Sequence, residues 1–386
     1  MREHWTLDPD VTFLNHGSFG ACPRVVLEAQ SELRARLERE PVKFFVHDLE
    51  SMRDDARAEV AAFVGARPED MGFVRNATTG VNAVLRSLRF EPGDQLLVTD
   101  HGYNACSNAL SFVADRWGAE VVIARLPFPL NSEDEVVEAV LGAVTDRTRF
   151  ALLDHVTSPT GLVLPVKRLV AGLEERGIDT MIDGAHAPGM LDLDVSAIGA
   201  AYYAANFHKW TCAPKGAAML WVREDRQEGI HPAVISHGYN SGRTRKRFLE
   251  ELDWVGTDDP TPALCVPVAI RFLEGLVGWS SIRERNRALV LEGRNRICRL
   301  LGSEPPAPDA MIGALAALPI PDGRGETPSS AMYADPLQIA LFEKHRIEVP
   351  IPPWPEPPKR LVRVSAFLYN EPEQYSKLGS ALLDLL

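Results

Sequence analysis

The 386-residue sequence predicts an α/β protein: a mixed, mostly parallel seven-stranded sheet sandwiched by helices, followed by a smaller α+β domain. Three observations carry this expectation. Short apolar runs alternate with helical stretches from about residue 71 to residue 222. The runs are apolar along their whole length, as in strands covered on both faces. After residue 223 the alternation breaks, and a Pro/Gly-rich linker, 302-GSEPPAP-308, precedes a different pattern.

Two helices come first. Residues 23–40 and 48–65 place apolar side chains at helical spacing, with Pro23 suited to a first helical position and Gly65 to a stop. The strands are then read at 71–76, 95–100, 119–126, 149–156, 178–184, 201–206 and 217–222. Helical patterns lie between several of them, near 79–89, 104–117, 133–143 and 166–176. The stretch 256-GTDDPTP-262 is turn-rich, and helices come after it at 267–278 and 280–301. Strands at 310–318, 347–351 and 361–366 and helices at 335–345 and 371–386 make up the smaller domain. The segment 352-PPWPEPPK-359 lacks the donors an interior strand needs and reads as a stiff loop. The large domain is expected to span 20–265, and the small one 1–19 with 266–386.

Composition narrows the function. Net charge is −12, and the only basic tract is the short 243-RTRKR-247, so nucleic-acid binding finds little support. The N-terminal MREHWTLDPD has no apolar signal region, and no apolar run approaches a membrane span of about 20 residues. The five scattered cysteines show no CxxC, as expected of reduced thiols in a cytoplasmic protein.

Ligands of open α/β sheets gather at the carboxyl ends of the strands, so the polar residues there come next. After 71–76 comes 77-ATTGVN-82, where Thr78 and Thr79 either cap a helix or leave its N–H groups to an anion. After 95–100 come His101 and Tyr103; the imidazole either stacks on a heteroaromatic ring or makes loop hydrogen bonds. Ser158 comes after the next strand, in what is otherwise simple turn chemistry. Asp183 ends a buried strand and requires a partner, with His186 three residues on; a metal is one reading of this pair, but no third ligand is near. Finally 206-NFHKW-210 ends a buried strand with Asn206, His208 and Lys209. A lysine there either snorkels to water or is held inside for chemistry.

A phosphate cradle, a stacking ring, a buried carboxylate and a buried amine together suit one cofactor, pyridoxal 5′-phosphate (PLP). A lysine binds its aldehyde as an imine, and a carboxylate keeps a proton on its pyridine nitrogen.

The order TT…DH…DGAH…HK resembles the class V aminotransferase branch of fold-type I PLP enzymes. The segments 14-LNHGSFG-20, 157-TSPTGLVLPV-166 and 206-NFHKW…APKG-216 resemble isopenicillin N epimerase-like proteins within it. The resemblance implies that Lys209 anchors the cofactor, Asp183 faces the pyridine nitrogen, His186 the 3′-oxygen, and His101 stacks on the ring. Thr78, Thr79, Asn206 and His208 would hold the phosphate, and Ser158 would touch cofactor or substrate. In 363-RVSAFLYN-370, Arg363 would clamp the substrate carboxylate. Asn15 and His16, in the glycine-rich N-terminal segment, would line the substrate side. Thr257 would reach a neighbouring subunit's phosphate, which implies a homodimer with shared active sites.

Lys209 would take the Cα proton of an amino acid. The step after that deprotonation separates an epimerase or racemase, an aminotransferase, and a C–S β-lyase acting on a cysteine conjugate. Tyr103 could serve as the second proton donor or protonate a leaving group. A catalytically idle binding protein on this fold is a further alternative, disfavoured by the presence of Asp183, Lys209 and Arg363 together. Residues 345–363 contain no cysteine, and the nearest one upstream, Cys298, falls on an expected helix, so the chain is expected not to be a cysteine desulfurase.

Overall fold

The structure is a computed structural model, and it describes residues 1–323 and 335–386. The strands are β1 (Thr12–Phe13), β2 (Met71–Val74), β3 (Gln95–Thr99), β4 (Glu120–Ala124), β5 (Thr148–Asp154), β6 (Asp179–Asp183), β7 (Tyr202–Asn206), β8 (Ala218–Val222), β9 (Leu315–Ile320), β10 (Ile347–Glu348) and β11 (Arg360–Ser365). The 7-stranded sheet has the order β2-β8-β7-β6-β5-β3-β4. Strands β3 to β7 run parallel, and β8 is antiparallel to both its neighbours.

Strand pleating explains why these runs are apolar throughout. Successive side chains point to opposite faces. Leu97, Ala151, Leu153, Ile182 and Tyr203 enter the core on one face of the sheet. Leu96, Val98, Phe150, Leu152 and Met181 enter a second core on the other. Helices cover both faces, so neither parity can be polar. Only the edge strand β4 exposes residues along most of its length.

The helices start and stop where local chemistry dictates. Asn76 caps the helix Ala77–Ser87 by accepting a hydrogen bond from Thr79 N at 2.8 Å. The helix Leu49–Val64 ends at Gly65, and Asn104–Trp117 ends at Gly118, each glycine left-handed at φ 67° and 69° respectively.

Beyond the sheet, β9 and β11 form an antiparallel pair, with Arg363 opposite Ala317. β1 pairs with β10 in parallel, tying the N-terminal segment to the C-terminal region. The helices Trp279–Leu301 and Pro372–Leu385 pack on this layer. The strand expected at 310–318 begins only at Leu315, because Asp309–Met311 form a 3-10 turn first. The run at 347–351 shrinks to two residues, as Pro350 and the prolines after it remove the ladder donors. Two short helices, Arg247–Asp253 and Thr261–Leu264, stand where no helix was expected. The second starts where Asp259 Oδ1 accepts from Thr261 N at 2.9 Å, a turn signal that doubles as a helix start. No single described helix is long and apolar enough to cross a membrane.

Candidate active site

A cavity of about 470 Å³ opens at the carboxyl ends of the parallel strands. Thr78, Tyr103, Ser158, Asp183, His186, Asn206, His208 and Lys209 line it, together with Ser18, Phe19, Arg75, Asp154, Ala185 and Lys215. Residues from the ends of five strands thus meet in one place, as the parallel register requires. Asp154 and Asp183 are direct partners across β5 and β6.

Lys209 extends from the turn after β7. Its Nζ lies 3.1 Å from His186 Nε2. Trp210 Nε1 donates to His186 Nδ1 at 3.2 Å. An indole N–H can only donate, so Nδ1 is the acceptor and the proton of the neutral imidazole sits on Nε2. That N–H faces an amine, which can accept only when uncharged. Burial, the largest cause, pushes the Lys209 pKa down to about 8, with Asp183 pulling it up and Arg363 down. Burial and then the Lys209 charge hold His186 well below the usual imidazole range. The hydrogen-bond geometry suits an uncharged amine, and a pKa of about 8 brings its deprotonation to within about one pH unit of neutrality.

Asp183 accepts from Ala185 N at 2.9 Å on Oδ1 and from the Cys106 thiol at 3.1 Å on Oδ2. The loop after it passes directly over Tyr203: a Cβ on Gly184 would lie 2.2 Å from the Tyr203 ring. Asp154, buried next to Asp183, is pushed well above the carboxylate range by burial and by that neighbour's charge.

Arg363 reaches in from β11. Its Nη1 donates to Ser158 O at 2.6 Å and to Ser158 Oγ at 3.2 Å, and its Nη2 donates to Ser18 Oγ at 2.8 Å. Burial lowers its pKa to about 10. Among the described residues no carboxylate pairs with it, and its Nε has no partner. A buried guanidinium so placed favours an anion.

Arg363 stands behind the wall residues Ser158 and Ser18, and the remaining expected residues also lie off the cavity wall. Thr79 donates to the capping Asn76 Oδ1 through its hydroxyl at 3.0 Å. Asn15 accepts from Ser18 Oγ at 2.5 Å and so orients the serine that meets Arg363. His16 is fully buried behind Lys209: Nε2 bonds Lys209 O at 3.0 Å, Nδ1 bonds the Tyr369 hydroxyl at 2.6 Å, and the ring stacks on Phe367 at 4.1 Å. Both nitrogens are used, so His16 supports the lysine's backbone and leaves no atom for a substrate. His101 is also buried, with Nδ1 bonded to Thr160 Oγ1 at 2.8 Å and the ring edge-on to Trp354 at 4.6 Å. Thr257 is exposed and lies outside the cavity.

Sequence reasoning passed over Asp154, Cys106 and Ser18. Asp154 carried the signal that singled out Asp183, an acid ending a buried strand. Ser18 lay inside the glycine-rich N-terminal segment. Cys106 reads as a small apolar residue, and only the coordinates reveal its bond.

Residues 13–300 match the family model described as Aminotransferase class-V. The chain belongs to the class-V aminotransferase family. It is 39% identical over 399 residues to isopenicillin N epimerase of Amycolatopsis lactamdurans, covering 100% of this chain and 97% of that protein. It is 32% identical over 404 residues to a probable chloroplastic L-cysteine desulfhydrase of Arabidopsis thaliana, covering 98% and 84%. The fold is that of a C-DES variant with glycine covalently linked to its PLP cofactor (TM-score 0.80, 21% identity, 100% and 99% covered). It is also that of cysteine desulfurase from Thermococcus onnurineus NA1 (TM-score 0.80, 20% identity, 100% and 96% covered).

The cofactor of this class-V enzyme is PLP. The cavity fits it: buried polar atoms without partners, His208 Nδ1, His101 Nε2 and Arg363 Nε, belong to residues in or bordering this one region. A helix also begins at Ala77 on the cavity wall.

The expectation that the chain is not a cysteine desulfurase is overturned. Desulfhydrases are relatives along nearly the whole chain, and desulfurases share its fold. The exclusion rested on a missing cysteine in 345–363. Cleaving a C–S bond by elimination needs a base at Cα and a leaving group, and a protein thiol is not required.

Proposed function

We propose that this class-V PLP enzyme removes and returns the Cα proton of an amino acid, as an epimerase or racemase. The observation that carries the reading is the buried Lys209–His186 pair in a cavity whose wall residues Ser158 and Ser18 hold Arg363, a buried guanidinium with no carboxylate partner among the described residues. The 39% identity to isopenicillin N epimerase along the whole chain supports the same reaction.

Bound PLP supplies the electron sink that makes a Cα–H bond acidic. The rest is the work of this chain. Lys209 would hold the cofactor through its amine and, once displaced, take the proton at Cα. His186 Nε2 orients that amine, and burial brings the amine's pKa down to about 8, within reach of deprotonation near neutral pH. Arg363, set by Ser158 and Ser18, would hold the substrate carboxylate bidentately. Thr78 and His208 would receive the phosphate, and Asp183 would accept the pyridine N–H. Burial raises the Tyr103 pKa, so its phenol keeps a proton at neutral pH and would serve as the second proton donor from the cavity wall.

β-Elimination from cysteine or a cysteine conjugate is the second reading. The 32% identity to a probable L-cysteine desulfhydrase supports it, and so does Tyr103, which could protonate a leaving thiolate. We further propose a division into 20–265 and 1–19 with 266–386, and a homodimer in which Thr257 serves the partner's site. Incubation with L- and D-amino acids, cysteine and cysteine conjugates in deuterated water tests the reaction. Epimerisation gives Cα deuteration with inverted chirality. Pyruvate with sulfide or thiol selects elimination, and keto acid alone sinks both readings.

A further inference from the structure

Asp183 takes one protein donor on each oxygen, the Ala185 amide on Oδ1 and the Cys106 thiol on Oδ2 at 3.1 Å. Cys106 is 2% exposed and stands in the first turn of the helix Asn104–Trp117, whose start comes directly after the β3 end. It therefore meets a carboxylate on a different strand from its own segment, at a distance where a thiol donates. A thiol is the weakest of the side-chain donors of this size. It can fix the direction of a carboxylate oxygen while withdrawing little of its charge, where a hydroxyl would withdraw more.

We propose that Cys106 is a positioning residue for Asp183: it sets the carboxylate's rotation with a weak donor and leaves the carboxylate's pull for the proton on the cofactor's pyridine nitrogen. This rests on the reading of Asp183 as the partner of that nitrogen. Other groups facing the pair are Asp154 from β5, its pKa raised by burial and by the Asp183 charge, Tyr103 ahead of the helix, Tyr203 from β7 and Lys209 after it, with the Thr78 hydroxyl toward the sulfur. Burial and then the Asp183 charge push the Cys106 thiol far up, so it remains an S–H donor across the neutral range. A nucleophilic role is closed to it for the same reason.

The test is the visible absorption of the PLP-loaded protein titrated with pH, read beside PLP affinity, in Cys106→Ser, Cys106→Ala and Asp183→Asn. Serine strengthens the donor and alanine removes it. The two are expected to move the midpoint of the titration by about half to one pH unit in opposite directions. No movement in either variant with PLP retained overturns the proposal, and so does an equal movement in one direction, which lost packing alone produces. Asp183→Asn separates the two levels. If it alters the band and weakens PLP binding while both Cys106 variants are silent, only the positioning role of Cys106 falls. If it changes neither, the reading of Asp183 falls and the role of Cys106 with it.

Discussion

At the residue scale, function rests on charges that the fold holds in unfavourable surroundings. Lys209 is the clearest case. In the cofactor-free protein its folded pKa of about 8 lies below its unfolded value of 10.5, so the unfolded chain binds more protons between those limits. Stability contributed by this residue is therefore diminished at pH 7 and recovers as pH rises through that window. Lys209→Met, of similar length and uncharged, is expected to melt above the wild type at pH 7, with the difference shrinking toward pH 10. A constant difference in Tm across that range would mean that the amine is not buried in the way the cavity indicates. Lys209 was legible because a cation ending an apolar strand is anomalous on its face. Asp154 was equally anomalous, yet one acid and one amine already satisfied the chemistry, so the second acid drew no notice. Its meaning depends on cross-strand register, which no local pattern carries. His16 misled in the opposite way. A histidine beside glycines suggests ligand contact, but its stacking on Phe367 and its bond to Tyr369 come from segments some 350 residues away.

At the element scale, uniformly apolar strands reported two covered faces, and all seven were placed in the sequence within a few residues. Where the reading slipped, at Leu315 and at Ile347–Glu348, the strands belong to two-stranded sheets with little periodicity to show. The junction after β6 is where element and site are joined most tightly. Gly184 leaves no room for a side chain above Tyr203, whose hydroxyl bonds His155 Nδ1 at 2.7 Å. Gly184→Ala must push the tyrosine ring or the Asp183 loop aside, and overpacking of this kind costs about 1–3 kcal/mol. A drop in Tm accompanied by weaker PLP binding is the expected result. Tyr203→Phe removes the hydroxyl, 2.3 Å from that Cβ, but keeps the ring carbons at 2.2 and 2.3 Å, so combining it with Gly184→Ala should not rescue the clash. Rescue would show that the hydroxyl alone sets the spacing.

At the scale of the whole molecule, the site is assembled from distant parts of the chain: Ser18 from the N-terminal segment, Lys209 from the central sheet and Arg363 from the C-terminal strand pair. Such a site gains if the surfaces around its mouth are also covered. Phe19, on the cavity wall, is 68% exposed. The segment Pro41–Asp48 presents Val42 and Val46 at 72% and 69% exposure, four residues apart on one helical face, while Phe45 packs inward against Trp254. Apolar side chains so exposed at helical spacing suit a second copy of the chain, which the homodimer reading supplies. Sedimentation of the wild type is expected to report a dimer at micromolar concentration. Replacing Val42 and Val46 by glutamate places charges at the proposed contact and should release monomers that keep the fold by circular dichroism but bind PLP more weakly. If the wild type is monomeric with its full complement of PLP, each chain completes its own site, and Thr257 has no phosphate to reach.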